Sequence, residues 1–556
     1  MASSYNRWYH PYDINEKYTR RAAYFCMEYA IHQSLKIYSG GLGFLAGSHM
    51  RSAYDLRQNL VGIGMLWKYG YYDQERNEDQ SMRPHFTQKF YSFLEDSGIT
   101  VRVLVNNHPV LVKAMVLKPE TFGTAPVYFL TTDVPENDHL ARTITNRLYD
   151  PEPNARIAQS IVLGIGGAKV VEALGGAETY HMNEGHALPL AFHLYQEYGK
   201  KEEVRRRMVF TTHTPEKAGN EEHDIQMLHG MSFFNGLGLE EVRELTSTHG
   251  QMFNHTLVAL RLSKVANGVS QLHGEVSREM WYDNEGVCEI KSITNAQNVP
   301  FWMDKQLWES QDQNKDMALQ RRKAEMKRKL FYIVANQAGK LFKTEVLTIV
   351  WARRFAAYKR ADLLVRDMER FLKLVNKPDM PVQVIWAGKP YPFDHNAVHV
   401  FNKLVYLSQK LDNVAVLTGY ELALSRKLKQ GADIWLNTPR RPREASGTSG
   451  MTAAMNGAVN FSVQDGWLPE FSRTGENSFV LPIVDTSLPD EMQDEEDYEN
   501  MMNMLEQQIV PTYYRDRERW LHIVKQSMRN VVPQFDSDRM AHQYYELMYN
   551  YQMRGK

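Results

Sequence analysis

The chain has 556 residues, 43% hydrophobic and 24% charged, which fits a globular protein and excludes wholesale disorder. That length exceeds one core and suits about two to four domains, or one pair of large α/β domains. With 65 Lys+Arg against 66 Asp+Glu, it carries no charge surplus for nucleic acid or an anionic membrane surface. Cys26 and Cys288 are the only cysteines, too few and too far apart for a disulfide framework or a thiolate metal site. No apolar run approaches the ~20 residues that span a bilayer. The opening stretch MASSYNRWYHPYDINEKYTRR has no apolar signal-peptide core. The expectation is a cytoplasmic protein with no membrane and no nucleic-acid partner.

Strand-like and helix-like segments alternate through the first half. Residues 22–30, 60–67, 100–107 and 126–134 are short apolar or β-branched runs that predict strands. Residues 157–174 suit a buried helix despite their glycines, while 178–186 and 207–215 each read as strand then loop. Residues 301–340 are rich in Gln, Lys, Arg and Asp at helical spacing and predict exposed helices joining two halves. A second series follows at 346–355, 381–389, 413–420 and 433–437, near-continuous apolar runs that suit parallel strands covered on both faces. Residues 359–376 and 396–412 read as helices between them. Asp490–Glu499 reads as a solvated acidic loop or helix start, and 500–556 as helices interrupted by Pro511 and Pro533. The fold class predicted is α/β, with two doubly wound Rossmann-like domains facing a central cleft. In such sheets ligands bind beyond the carboxyl ends of the strands.

Four segments follow apparent strands and carry glycines or charges. Ser39-Gly40-Gly41-Leu42-Gly43 offers close backbone approach to an anion at a helix start, although a glycine cluster taken alone is more often a tight turn. Arg353-Arg354 and Lys359-Arg360 combine planar forks with point charges suited to a phosphate or diphosphate, or form a solvated helix start. Glu444-Ala445-Ser446-Gly447-Thr448-Ser449-Gly450 resembles a helix N-terminus with free amides at Thr448, Ser449 and Gly450, fronted by a carboxylate able to accept sugar hydroxyls. His181-Met182-Asn183-Glu184-Gly185-His186 has the wrong spacing for the zinc-protease helix, and no metal is expected. His186 is a candidate for contact with a substrate hydroxyl or carbonyl and equally a core histidine, and His213 is a second cleft candidate.

Taken in order from about Tyr24 to Trp467, these segments resemble the α-glucan (glycogen, maltodextrin) phosphorylase family. Ser39–Gly43 resembles the glycine loop beside the substrate phosphate, and Gly62-Ile63-Gly64 with Tyr69–Gln74 the strand that follows it. His186 falls where the family has a histidine on the transferred glucose. Gly268–Glu275 and Thr294-Asn295 match two further signatures. Arg354-Phe355-Ala356-Ala357-Tyr358-Lys359 matches the phosphate-binding segment, and Glu444–Thr448 the one that touches sugar and cofactor phosphate. The resemblance implies the GT-B fold: an N-terminal domain over 1–315 with the glycine loop and acceptor side, a donor domain over 316–500, and helices over 501–556 crossing back to the first. It also implies a homodimer as one arrangement.

One position departs from the family pattern. The family's lysine for the pyridoxal phosphate Schiff base lies eight residues after the glutamate, where this chain has Thr452. From Glu444 onward the only lysines are Lys525 and Lys556. No covalently bound cofactor is therefore expected. Nucleotide-sugar glycosyltransferases of the same type, including glycogen synthases, keep an Arg and Lys pair for the donor diphosphate and a glutamate near the donor sugar. The expectation is a retaining α-glucosyltransferase acting on α-1,4-glucan or maltooligosaccharide, with a nucleotide-diphosphate glucose donor. Arg354, Lys359, His186 and Glu444 would carry catalysis. Gly40, Gly41, Gly43, Thr448, Ser449 and Gly450 would hold donor phosphate. The alternatives are a phosphorylase making glucose 1-phosphate with pyridoxal phosphate held non-covalently, and a non-catalytic glucan-binding protein.

Overall fold

The structure, a computed structural model, describes Trp8 and residues 10–553; the outermost residues of the polar opening stretch and of the final helical segment lie outside it. The chain forms two compact units. The first comprises the described residues up to Tyr71, Phe86–Asn295, and those from Ser537 onward; the second comprises Tyr72–His85 and Ala296–Asp536. The division expected at 315/316 thus falls at 295/296. The return to the first unit begins at Ser537 rather than at 501.

The first unit is built on a nine-stranded sheet. Its strands are β1 (Ala22–Phe25), β2 (Leu60–Met65), β3 (Glu95–Val105), β4 (His108–Leu117), β5 (Val127–Thr131), β6 (Thr179–Asn183), β7 (Met208–Thr211), β8 (Val265–Gly268) and β9 (Glu289–Ser292). They lie in the order β9-β8-β7-β6-β1-β2-β5-β4-β3. Every residue of β1, β2 and β5 is buried, as expected of parallel strands covered on both faces. The chain leaves β1 toward β2 and β5, then crosses to β6 on the other side, so the ends of β1 and β6 flank a switch point. The alternating apolar pattern of β4 marks a one-sided antiparallel edge, and β3 and β4 indeed pair antiparallel. This hairpin departs from the strand-helix alternation read for the first half.

Helix α1 (Gly41–Asp55) follows β1 and is almost wholly buried. It lies so close to the segment after β1 that a Cβ on Gly47 would stand 2.0 Å from the Ala30 carbonyl oxygen. Residues 153–173 form the expected buried helix, with a π turn at Val162–Gly166. Gly167 lets it approach Phe25 of β1, where a Cβ would meet the ring at 2.7 Å.

The second unit carries six parallel strands: β10 (Leu347–Ala352), β11 (Val382–Ala387), β12 (Val414–Leu417), β13 (Ile434–Asn437), β14 (Val459–Ser462) and β15 (Ser478–Val480). Their order is β12-β11-β10-β13-β14-β15, the doubly wound order of dinucleotide-binding sheets with its switch between β10 and β13. Helix α2 (Asp316–Ala338) corrects the reading of 301–340 as exposed connectors. Leu330, Phe331 and Val334 join the core of this unit with Val350, Ile385 and Trp435. The reason is a narrow apolar stripe (Leu319, Met326, Leu330, Val334) hidden in a charge-rich helix.

The acidic stretch is also not merely solvated. It opens the helix Asp490–Met504, whose carboxylates pair with arginines: Asp494 and Asp497 with Arg360, Asp494 with Arg440, Glu495 with Arg366 and Glu499 with Arg370. Among the described residues no helix is long and apolar enough to cross a membrane.

Gly47→Ala should force α1 away from the Ala30 backbone. A loss of about 1–3 kcal/mol is expected for such overpacking, read as a lower denaturation midpoint of the full chain.

Candidate functional site

In the second unit, the chain leaving β10 runs directly into Arg353 and Arg354. Arg353 turns inward and is 6% exposed, whereas Arg354 is exposed. A 3₁₀ turn at Ala357–Lys359 brings Lys359 back over the strand ends. From the other side of the switch, the segment after β13 delivers Glu444. Its Oε2 lies 3.2 Å from Lys359 Nζ and 3.3 Å from Arg353 Nη1. Arg354 acts on Glu444 and Lys359 through its charge. Of the sequence candidates, Lys359 and Glu444 therefore meet directly, and the arginine in contact with them is Arg353.

Two buried cations share this one carboxylate. Burial pushes Lys359 down to about 7, helped by Arg353 and Arg354 and opposed by Glu444. Burial works against the Glu444 charge too, but Lys359, Arg353 and Arg354 outweigh it and hold the carboxyl below its usual range. Nε and Nη1 of Arg353 are buried and make no hydrogen bond. A buried donor left unmade is costly, so these two point to a group that arrives with a ligand. Arg360, four cations' worth of the original motif notwithstanding, is not part of this set. It is spent on Asp494, Asp497 and the carbonyls of Thr438 and Pro439.

Asp465 underlies Glu444. Its Oδ2 accepts the Glu444 amide at 2.8 Å, and Oδ1 accepts the Gly466 amide at 2.8 Å. Burial pushes it up to about 8. Sequence reading missed it; its signal was an acidic residue directly after the apolar run of β14.

Helix α3 (Thr448–Ala454) starts at Gly447, whose φ of +85° suits glycine. Thr448 and Ser449 open it, with Ser449 Oγ 3.4 Å from Trp435 Nε1. The Gly450 amide already donates to the Gly447 carbonyl, and a Cβ there would meet Asn460 Oδ1 at 2.5 Å. Gly450 is thus a packing residue more than a phosphate ligand. Thr452 is 1% exposed, and its hydroxyl donates to the Ser449 carbonyl at 3.0 Å. It offers no amine, so this position does not fit a Schiff-base cofactor.

The first unit holds a second cluster beside the β1/β6 switch. The glycine loop does not present open amides throughout. Ser39 N and Gly40 N donate to Glu28 Oε2 at 2.6 and 3.1 Å, and Ser39 Oγ donates to Oε1 at 3.1 Å. Gly41 and Gly43 form the first turn of α1, and a Cβ on Gly43 would stand 2.7 Å from that same carboxylate oxygen. The loop holds a carboxylate of its own chain where an external anion was expected. Tyr149 completes it, donating to Glu28 Oε1 at 2.6 Å, and its ring lies 6.1 Å from that of His186. Glu28 could have been noticed as the one charge in the run 22–30. Tyr149 left no sequence signal.

His186 sits in the short turn after β6, entered through Glu184 at φ +70°. The Glu184 carboxylate accepts from the amides of Gly185 and His213 and from the Thr214 hydroxyl, which holds the strained turn in place. Nδ1 of His186 is buried without a hydrogen bond. His213 is tied instead to Asn183, with Nε2 donating to Oδ1 at 2.6 Å, and burial pushes it down to about 3. His181 is a core residue held by Tyr549 and Thr211.

The family described as Carbohydrate phosphorylase matches residues 303–481, which contain the whole Arg353/Lys359/Glu444 cluster. An uncharacterized protein of Methanocaldococcus jannaschii is 48% identical over 95% of this chain and 99% of its own. Maltodextrin phosphorylase of Thermococcus litoralis is 34% identical over 99% of this chain and 72% of its own. Glycogen phosphorylase of Aquifex aeolicus is 30% identical over 96% of this chain and 87% of its own.

Lys359 sets a pH dependence. The unfolded chain binds its proton up to about 10.5, the folded chain only to about 7. Between those values the unfolded state binds more protons, so this group makes stability rise with pH. The melting temperature of the unsubstituted chain should therefore gain on that of Lys359→Met as pH goes from 7 to 10. A constant difference between the two would contradict the assignment.

Proposed function

The chain belongs to the α-glucan phosphorylase family, and from that membership we propose a retaining glucosyl transfer to α-1,4-glucan from a nucleotide-diphosphate glucose. It is a glycosyltransferase-type enzyme acting on α-glucan. One observation carries the donor reading: Thr452 denies the covalent cofactor its anchor, while Arg353 and Lys359 stand on a single carboxylate, ready for an arriving anion.

In the proposed reaction the bond between the anomeric carbon and the leaving phosphate oxygen breaks through an oxocarbenium-like state, the acceptor's 4-hydroxyl oxygen bonds to that carbon from the same face, and its proton passes to the departing diphosphate. The diphosphate gains negative charge as it departs. Arg353 and Lys359 offset that charge inside a water-poor site, where preorganised cations act most strongly. Arg354 adds charge from the exposed side, and Thr448 and Ser449 open the helix that follows. Glu444, held in place by the Asp465 carboxylate, is assigned to the glucose hydroxyls. As the diphosphate binds, Lys359 regains a full positive charge, because the added anions counter the burial that lowers it. In the first unit, His186 is assigned to a sugar hydroxyl through its unpartnered Nδ1. The carboxylate of Glu28 in the glycine loop argues against a phosphate at that loop.

Phosphorolysis is the second reading, favoured by the names of the relatives in Thermococcus litoralis and Aquifex aeolicus. It would use the same two cations on inorganic phosphate or glucose 1-phosphate.

A donor panel separates them. Maltoheptaose is mixed with glucose 1-phosphate, UDP-glucose, ADP-glucose or GDP-glucose, and chain extension is followed with the released phosphate or nucleotide. Extension with a nucleotide sugar and no response to added pyridoxal phosphate is expected; extension only with glucose 1-phosphate would sink the donor assignment. Arg353→Met should lower kcat by roughly 10²–10³-fold, as for a deleted oxyanion donor. Lys359 still pairs with Glu444 in that variant, so it should remain folded, with a lowered unfolding midpoint for the lost Arg353–Glu444 contact.

A further inference from the structure

At the opposite, amino-terminal end of the second unit's sheet lies a cavity of about 100 Å³. Asp433, immediately before β13, and Thr344, ahead of β10, form its base. Lys323 and Lys327 of α2 line one wall. Tyr513, Arg517 and Trp520, around the start of the helix Arg517–Phe535, line the other.

Its charges do not cancel. Lys327 is fully buried and committed: Nζ donates to Asp433 Oδ2 at 2.5 Å and to the Val346 carbonyl at 2.8 Å. That pair neutralises itself and accounts for the only carboxylate in the lining. Lys323 remains, with one hydrogen bond to the Asn456 carbonyl at 2.9 Å and no acid of its own. Burial pushes it down to about 7, with Lys327 adding to the effect and Asp433 opposing it. Arg517, on the exposed side, supplies a second cation, with Nη1 donating to the Tyr513 carbonyl at 3.1 Å and no carboxylate of the lining besides Asp433 to pair with. Its guanidinium stacks 4.5 Å from the centre of the Tyr513 ring, and Lys327 Nζ lies 5.8 Å from the same centre. The ring thus holds cations around the cavity without neutralising them.

We propose that this cavity binds one small tetrahedral oxyanion, with Lys323 and Arg517 as its principal ligands and inorganic phosphate as the matching species. A partly buried cation set lacking counter-charge gains most from an anion that brings its own acceptors. The volume admits a phosphate group. The site is separate from the Arg353/Lys359 cluster, which lies at the carboxyl ends of the same strands. It does not depend on which glucosyl donor is used.

Equilibrium dialysis of the full chain with radiolabelled inorganic phosphate tests this. Lys323→Met should bind one phosphate equivalent fewer per chain than the unsubstituted protein. Arg517→Gln should weaken that same equivalent about tenfold. Arg517 is on the exposed side, so its variant decides the matter if Lys323→Met does not fold. Equal uptake by the unsubstituted chain and Arg517→Gln overturns the proposal. Displacement of the equivalent by ADP at lower concentration than by phosphate overturns the assigned ligand class.

Discussion

The site in the second unit depends on an imbalance: two buried cations, Arg353 and Lys359, face a single carboxylate, Glu444. Taking charges out of water is costly, and a single acid cannot return the full cost for two bases. The fold imposes the imbalance through topology. The carboxyl ends of β10 and β13 are neighbours at the sheet's switch point, so the cations of one loop and the acid of the other converge. The result is a lysine held near neutrality and an arginine with unmade donors. Both features favour an arriving anion more than a resting protein.

The surrounding charges make the contrast visible. Arg360 belongs to the same basic segment, yet two carboxylates and two carbonyls take up four of its N–H donors. The helix Asp490–Met504 supplies those acids and also pairs Arg366, Arg370 and Arg440. The chain therefore gives Arg360, Arg366, Arg370 and Arg440 acids from this helix, whereas Arg353 shares Glu444 with Lys359. In the first unit the sign is reversed. A carboxylate, Glu28, fills the glycine loop and is satisfied by Ser39, Gly40 and Tyr149. Backbone amides there support an internal charge, which in turn positions the tyrosine beside His186.

Much of this was legible along the chain. Continuous apolar runs announced the parallel strands, because strands buried on both faces cannot alternate. The basic pair after β10 and the Glu444 segment after β13 could be placed at strand ends from local order alone. Other features were not legible. The apolar stripe of α2 is too narrow to stand out among its charges, and only packing against the sheet reveals it as core. The acid helix looked solvated because its arginine partners lie 47 to 137 positions away in sequence.

The sequence by itself determined the parallel strands of the second unit in their order along the chain, the chemistry available at their ends, and the absence of an amine at 452, since these are properties of residues and their neighbours. Tertiary structure decided which members of each charged run were neutralised and which were left wanting a partner. It turned Arg353 inward and Arg354 outward, engaged Arg360 with acids from a distant helix, and placed Glu28 in the glycine loop. These outcomes depend on burial and on contacts between remote segments. Both set the cost of a charge, and neither is a property of any stretch of chain read alone.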